Sequence, residues 1–235
     1  MIPLRDNIPS RRLPLVTIAL IAACAVVFLF EENLDGDRLD GFIRLFGLVP
    51  ARYTNPQWAE WAGYPSSYWP FLSHIFLHGG WLHFLGNMWF LWLFGDNVED
   101  RLGRPRYLAF YLLCGLAAGL VQFFLTPSSR LPLVGASGAI SGVMGAYFVL
   151  YPGARILTLV PIFIFIEFIQ VPAFIFLGLW FILQLQSGAL SLSASAGRTG
   201  GVAFWAHIGG FAAGFVLLRL MMPRTAPWIR RERAP

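Results

Sequence analysis

Six apolar runs, roughly 13–30, 81–95, 106–126, 136–151, 172–189 and 201–221, dominate this 235-residue sequence and are bounded by charged residues, glycine and proline. A helix crosses about 30 Å of hydrocarbon with about 20 apolar residues. Only 12% of residues are charged and 57% are hydrophobic, whereas a soluble domain carries about a quarter charged residues. The expected fold class is therefore all-α, a polytopic membrane bundle of six transmembrane helices in the lipid bilayer. No internal repeat or separate soluble domain is visible, so residues 1–235 read as a single domain. The run after Arg5, Arg11 and Arg12 has no clear small-x-small cleavage site and is long for a signal-peptide core, so it reads as a retained first helix.

All 17 basic residues are arginine. The lack of lysine excludes a lysine nucleophile, a Ser–Lys dyad and Schiff-base chemistry. With the N-terminus inside, twelve arginines (5, 11, 12, 101, 104, 106, 155, 219, 224, 230, 231 and 233) face the cytoplasm and five (38, 44, 52, 130 and 198) face out. The excess reads as topology and not as nucleic-acid binding, with both termini cytoplasmic. The absence of lysine and of an organellar presequence leans towards a prokaryotic plasma membrane. Cys24 and Cys114 lie within apolar runs and suggest small buried thiols, not a disulfide framework.

That topology puts four polar groups at one depth in the outer half of the bilayer. Ser137 opens helix 4, His207 lies near the start of helix 6, and His83 and Asn87 follow Trp81 within about 10 Å on helix 2. Helix 4 is also short before Pro152, about 22 Å, which leaves room for water above it. Polar groups inside a membrane are functional candidates by default. A serine hydroxyl becomes a nucleophile when a base removes its proton, and His207 is suited to that task. An oxyanion would be met by the Ser137 N–H, His83 and Asn87, the last two stacked four residues apart on one helix face.

Gly138 and Gly142 on helix 4 match Gly210 and Gly214 on helix 6, and small residues at this spacing let helix backbones approach in lipid. His207 shares its face with Gly210 and Gly214. No acid is near enough to complete a triad: Asp96, Glu99 and Asp100 lie at the far end of helix 2, Asp96 already about 20 Å from His83. The expectation is a dyad whose imidazole is held by packing. His74 and His78 have zinc-like i, i+4 spacing, but no Cys or carboxylate stands beside them and Gly79-Gly80 breaks the helix. They read as ordering the loop above helix 2, and neither a metal nor a cofactor is expected. Glu167 reads as a solvated interfacial side chain between Pro161 and Pro172, and Ser141 and Gln184 as helix–helix hydrogen-bonding groups.

Three motifs in order, His78-Gly-Gly-Trp-Leu-His83-Phe-Leu-Gly-Asn87, Gly135-Ala-Ser137-Gly138, and Ala206-His207-Ile-Gly-Gly210 with Gly214, resemble the rhomboid family of intramembrane serine proteases. The sequence Glu99-Asp-Arg-Leu-Gly-Arg104 is similar too. The resemblance covers a core of about 74–221, with 31–80 as the first loop and 222–235 as a cytoplasmic tail. It implies Ser137 as nucleophile, His207 as general base and then acid, and His83 and Asn87 in an oxyanion hole. His78, Gly135, Gly138, Gly210 and Gly214 would support them. It further implies single-pass transmembrane proteins as substrates, cut near the extracytoplasmic side. Helix 5, from near Pro172, and the loop before helix 6 resemble the family's substrate gate.

Two positions depart from the family pattern. Trp69-Pro70 stands where many rhomboids have Trp-Arg, so the bracing of the first loop must come from elsewhere. Ser141 stands where many have a tyrosine stacked on the histidine, so something else must position His207, with Trp205 and Phe204 as candidates. The competing readings are a catalytically silent rhomboid-like protein that binds membrane clients, and a proton transporter using His207 and Glu167. The chain retains serine and histidine, against the first. It lacks inverted halves, against the second.

Overall fold

The structure, a computed structural model, describes residues 1–162, 165–193 and 203–222. Six long helices account for the apolar runs: α1 (Leu15–Glu32), α6 (Trp81–Leu102), α7 (Arg104–Leu125), α8 (Ser137–Leu150), α9 (Ala173–Ser193) and α10 (Phe204–Met221). Four of them, α1, α7, α9 and α10, are long and apolar enough to cross a membrane. The chain is an integral membrane protein on that count. Helix α8 is only 14 residues, and α6 ends in the charged turn that holds Asp96, Glu99, Asp100 and Arg101. The loop before α10, Arg198, and the tail beyond Met222 with its arginines lie outside the described residues.

Helix α8 is the hub of the bundle, buried continuously from Gly138 to Tyr147. Its closest neighbour is α10, and glycine is the reason. A Cβ on Gly210 would lie 1.9 Å from the Gly138 carbonyl oxygen, and one on Gly214 would lie 2.0 Å from that of Gly142. On another face, a Cβ on Gly142 would come within 2.5 Å of Cys114, and one on Gly138 within 2.6 Å of Ala118, both on α7. Lipid offers no hydrophobic drive between helices, so backbone contact of this closeness supplies dispersion that larger side chains would block.

Helix α1 has no capping side chain of its own at Pro14. Glu99 of α6 caps it instead, accepting from the Val16 N–H at 3.0 Å, the Thr17 N–H at 2.8 Å and the Thr17 hydroxyl at 2.9 Å. A carboxylate there satisfies orphan donors and meets the positive end of the helix dipole. At the other end Glu31 accepts from the His78 N–H at 3.0 Å, and Glu32 from the Trp81 indole at 2.7 Å. The first helix is thus tied to both ends of α6.

The expected all-α class needs correcting. The chain is mostly helical, but β1 (Ile2–Asp6), β2 (Arg155–Ile162) and β3 (Phe165–Pro172) form an antiparallel sheet in the order β1-β2-β3. Ile2 pairs with Leu159, and Arg155 with Pro172. Within β2, Ile156 and Thr158 are buried while Arg155 is exposed, the period-two alternation of a half-buried strand. Side chains of the bundle anchor β1: the Trp89 indole donates to the Pro3 carbonyl at 2.6 Å, and Asn97 and Tyr147 both donate to Asp6. Glu167 is exposed on β3 opposite Val160, in keeping with its reading as a solvated side chain.

The first loop folds into four short helices, α2 (Gly36–Phe46), α3 (Ala51–Thr54), α4 (Pro56–Trp61) and α5 (Pro70–Ser73), followed by a 3₁₀ turn at His74–Phe76. Arg52 braces it. This buried guanidinium donates to the Arg44 carbonyl at 3.3 Å and to the Pro65 carbonyl, and lies 5.5 Å from the Tyr53 ring centroid and 5.8 Å from that of Tyr64. A guanidinium offers several donors in a fixed plane, which suits gathering separate loop carbonyls. Bracing by arginine therefore persists, supplied from seventeen residues before Trp69.

Candidate active site

The site draws on the N-terminal turns of α6, α8 and α10, the middle of α9 and the loop before α8. The segment before α8 is fixed to the first loop: Leu48 and Leu133 exchange backbone hydrogen bonds at 3.1 and 2.8 Å, and the Gly135 N–H donates to the His74 carbonyl at 2.8 Å. Gly135 itself has φ 121°, a conformation a side chain rarely adopts. That bend turns the chain into α8 with Ser137 at its first position. Helix α10 begins at Phe204, so His207 lies within its first turn, about 4.5 Å along the axis. The Ala206 N–H, which donates to the Ala203 carbonyl at 3.0 Å, is shared with the Gln122 side-chain oxygen of α7 at 3.2 Å.

The structure brings Ser137 and His207 together: Oγ and Nε2 are 2.8 Å apart. Both residues are partly buried. The other ring nitrogen, Nδ1, lies 2.8 Å from Gln184 Oε1 on α9. An amide oxygen accepts only, so the proton sits on Nδ1 and leaves Nε2 a lone pair facing the serine hydroxyl. The expectation that packing alone positions His207 through Trp205 or Phe204 is therefore corrected. Gln184 holds the ring edge, and Trp180, also on α9, packs on it at 5.9 Å between centroids with planes 34° apart. Trp205 turns away to cover Gly188. Ser141, four residues beyond the nucleophile candidate, donates to the Ser137 carbonyl at 2.6 Å.

His83 and Asn87 project from α6 over Gly135. A Cβ built on Gly135 would be 2.7 Å from His83 Nε2 and 3.5 Å from Asn87 Nδ2. The Gly79 N–H donates to His83 Nδ1 at 3.3 Å. A backbone amide can only donate, so His83 carries its proton on Nε2 and presents a donor to the site. Asn87 Nδ2 is buried without a partner among the described residues, and a buried donor left unpaired costs about 1–3 kcal/mol. Two donors therefore converge over Gly135, two residues before Ser137, and among the described residues the asparagine amide has no acceptor. A buried orphan donor is what an incoming oxygen would satisfy.

His78 does not touch the serine. Its N–H is held by Glu31, its Nδ1 lies 3.2 Å from the Phe76 carbonyl, and its ring meets that of His83 edge-on at 5.4 Å. His74 is fully enclosed, its Nδ1 2.8 Å from the Pro70 carbonyl, and a Cβ on Gly119 would sit 3.0 Å from its ring. Burial lowers the pKa of each to about 4, so both are neutral loop-ordering residues. The sequence reading missed Gln184 and Trp180 as site residues. An ionisable ring in one span and an amide in another were the available signal, but nothing local says which pair meets.

The family model described as Rhomboid domain matches residues 65–224. Rhomboid protein 1, mitochondrial, of Saccharomyces cerevisiae is 32% identical over 147 residues, 61% of this chain and 39% of that protein. RHOMBOID-like protein 4 of Arabidopsis thaliana is 33% identical over 171 residues, 71% of this chain and 38% of that protein. Rhomboid protease GluP of Bacillus subtilis is 39% identical over 79 residues, 34% of this chain and 15% of that protein. The chain thus spans less than two-fifths of the length of these relatives. They come from mitochondria and from a bacterium among others, so the likeness selects no particular membrane. The matched region holds every helix from α6 to α10 and all four polar groups of the site, and the chain belongs to the rhomboid family.

Proposed function

We propose that the chain is a serine endopeptidase acting within the membrane, with Ser137 as nucleophile and His207 as base. The observation that carries this reading is the 2.8 Å contact between Oγ and Nε2, with Nδ1 committed to an acceptor. As Oγ bonds to the scissile carbonyl carbon, its proton passes to Nε2. The carbonyl oxygen takes the negative charge and accepts from Asn87 Nδ2, His83 Nε2–H and the Ser137 N–H at the start of α8. Nε2–H then protonates the amide nitrogen as the C–N bond breaks, leaving an acyl-serine. Water, deprotonated by the same imidazole, releases the acid. All reacting groups belong to the chain, so the step needs no cofactor.

The expected substrates are single-pass membrane proteins, reached through the bilayer and cut near the extracytoplasmic end of their helix. The site supports this because it lies at the helix ends that the arginine distribution places outside. The six long helices would all span, with α8 stopping short beneath a water-filled recess. A serine-reactive fluorophosphonate should label purified protein in detergent, and Ser137→Ala and His207→Ala should abolish labelling. Labelling that persists in Ser137→Ala would refute the assignment. An unlabelled wild type that still binds transmembrane clients would favour the silent, client-binding reading.

A further inference from the structure

We infer that Gln184 is a positioning residue that fixes the tautomer of His207 and makes that tautomer depend on the seating of α9. The inference rests on the proposed role of His207 as base. In a neutral imidazole one nitrogen carries the proton and the other accepts. With Nδ1–H bonded to Gln184 Oε1 at 2.8 Å, Nε2 is the acceptor that faces Ser137. Remove the amide oxygen and the two tautomers compete. The one protonated on Nε2 cannot take the serine proton. In the reaction His207 becomes imidazolium, and the carbonyl dipole of Gln184 then faces a positive Nδ1–H. That contact strengthens as charge develops, the condition for lowering a barrier and not merely tightening the ground state.

The groups around the ring leave this role to Gln184. From α8 it meets Ser137, and from its own α9 face it meets Trp180 and Gln184, none of which carries charge. Across the site the titratable neighbour is His83 of α6. Among the described residues no carboxylate is bonded to Nδ1. Helix α9 is also the least enclosed of the four apolar spans, 22% of its window buried against 28–33% for the others. Its hold on the site runs through Trp180, Gln184 and the stacking of Phe181 on Phe211 at 4.6 Å. Movement of α9 away from α10 would break the Nδ1 bond before it disturbed Ser137, which belongs to α8. The base is thus set only when α9 is seated.

The test combines kinetics on a transmembrane peptide with ¹⁵N NMR of histidine-labelled protein, which has just four histidines. Gln184→Leu should lower kcat about 10- to 100-fold with KM nearly unchanged, a part of the about 10²–10⁴-fold a general base supplies. The His207 ¹⁵N shifts should move from a single tautomer to a mixture. Gln184→Glu keeps an acceptor and adds a charge that favours imidazolium, so it should restore the single tautomer and shift the acid limb of the kcat/KM profile to higher pH. A leucine variant with wild-type kcat and unchanged ¹⁵N shifts would overturn the inference. If that variant fails to fold, an unmoved acid limb in Gln184→Glu would overturn it. A wild type that neither cleaves nor labels would sink the hydrolase reading, while the ¹⁵N shifts would still decide whether Gln184 sets the tautomer.

Discussion

Gly210→Ala should disable the site from nearly a full turn away without touching a reacting group. The added Cβ would stand 1.9 Å from the Gly138 carbonyl oxygen, where ordinary contact begins at 3.4 Å, so α8 and α10 must part by about 1.5 Å (3.4 − 1.9). Helix α8 has little room on its α7 side, where Gly138 and Gly142 already lie against Ala118 and Cys114. If α10 takes up the shift, the Ser137–His207 contact of 2.8 Å opens towards 4.3 Å (2.8 + 1.5), beyond hydrogen-bond range. A misplacement of about 1 Å can cost about 10²-fold in rate. Overpacking of this kind costs about 1–3 kcal/mol in stability. The rate of fluorophosphonate labelling should therefore fall at least about 10²-fold while the protein remains folded in detergent. Gly178→Ala is the control, since the nearest atom to its new Cβ is 4.0 Å away. Wild-type labelling by a folded Gly210→Ala protein would refute the claim that glycine contact sets the distance between serine and histidine.

Three further outcomes are expected. Asn87→Ala should lower kcat by about 10²–10³-fold with little change in KM, as for loss of one oxyanion donor; an equal loss in substrate affinity would argue for a binding role instead. Glu99→Gln leaves the α1 N-terminus with a neutral acceptor in place of the charge that now receives three hydrogen bonds, and the thermal midpoint should drop by an amount equivalent to about 2 kcal/mol. An unchanged midpoint would show that α1 is capped otherwise. Stability should also fall as pH drops from 6.5 towards 4. The folded pKa of His74 and His78 is lowered to about 4, so between those values the unfolded chain binds more protons, and the full stability is present only above pH 6.5. The difference of 2.5 units (6.5 − 4) corresponds to about 3 kcal/mol for each histidine. His74→Phe should flatten the dependence of the melting midpoint on pH, and an equally steep profile in that variant would count against it.

The helices were legible because each is its own run of apolar residues: the ends at Glu32, Leu125 and Leu150 fall within a few residues of the apolar boundaries. The sheet was not legible. Its central strand pairs with residues 2–6, some 150 positions away, and an eight-residue run such as Arg155–Ile162 carries no sign of its partner. Arg52 was equally hidden. Read locally it is one more outward arginine, and only the fold of the loop brings the carbonyls of residues 44 and 65 to its guanidinium.

By itself the sequence determined that the chain lives in a membrane, which residues are costly enough there to suggest chemistry, and which glycines permit close helix contact. These are properties of single residues and short spacings, fixed by the energy of placing each group in lipid. Tertiary structure alone decided that Gln184 and Trp180, not Phe204 or Trp205, hold the imidazole. It also decided that His83 donates through Nε2, because the Gly79 amide occupies its other nitrogen. A ring's tautomer is set by whichever donor or acceptor meets it in space, and that neighbour comes from another helix whose rotation no local pattern records.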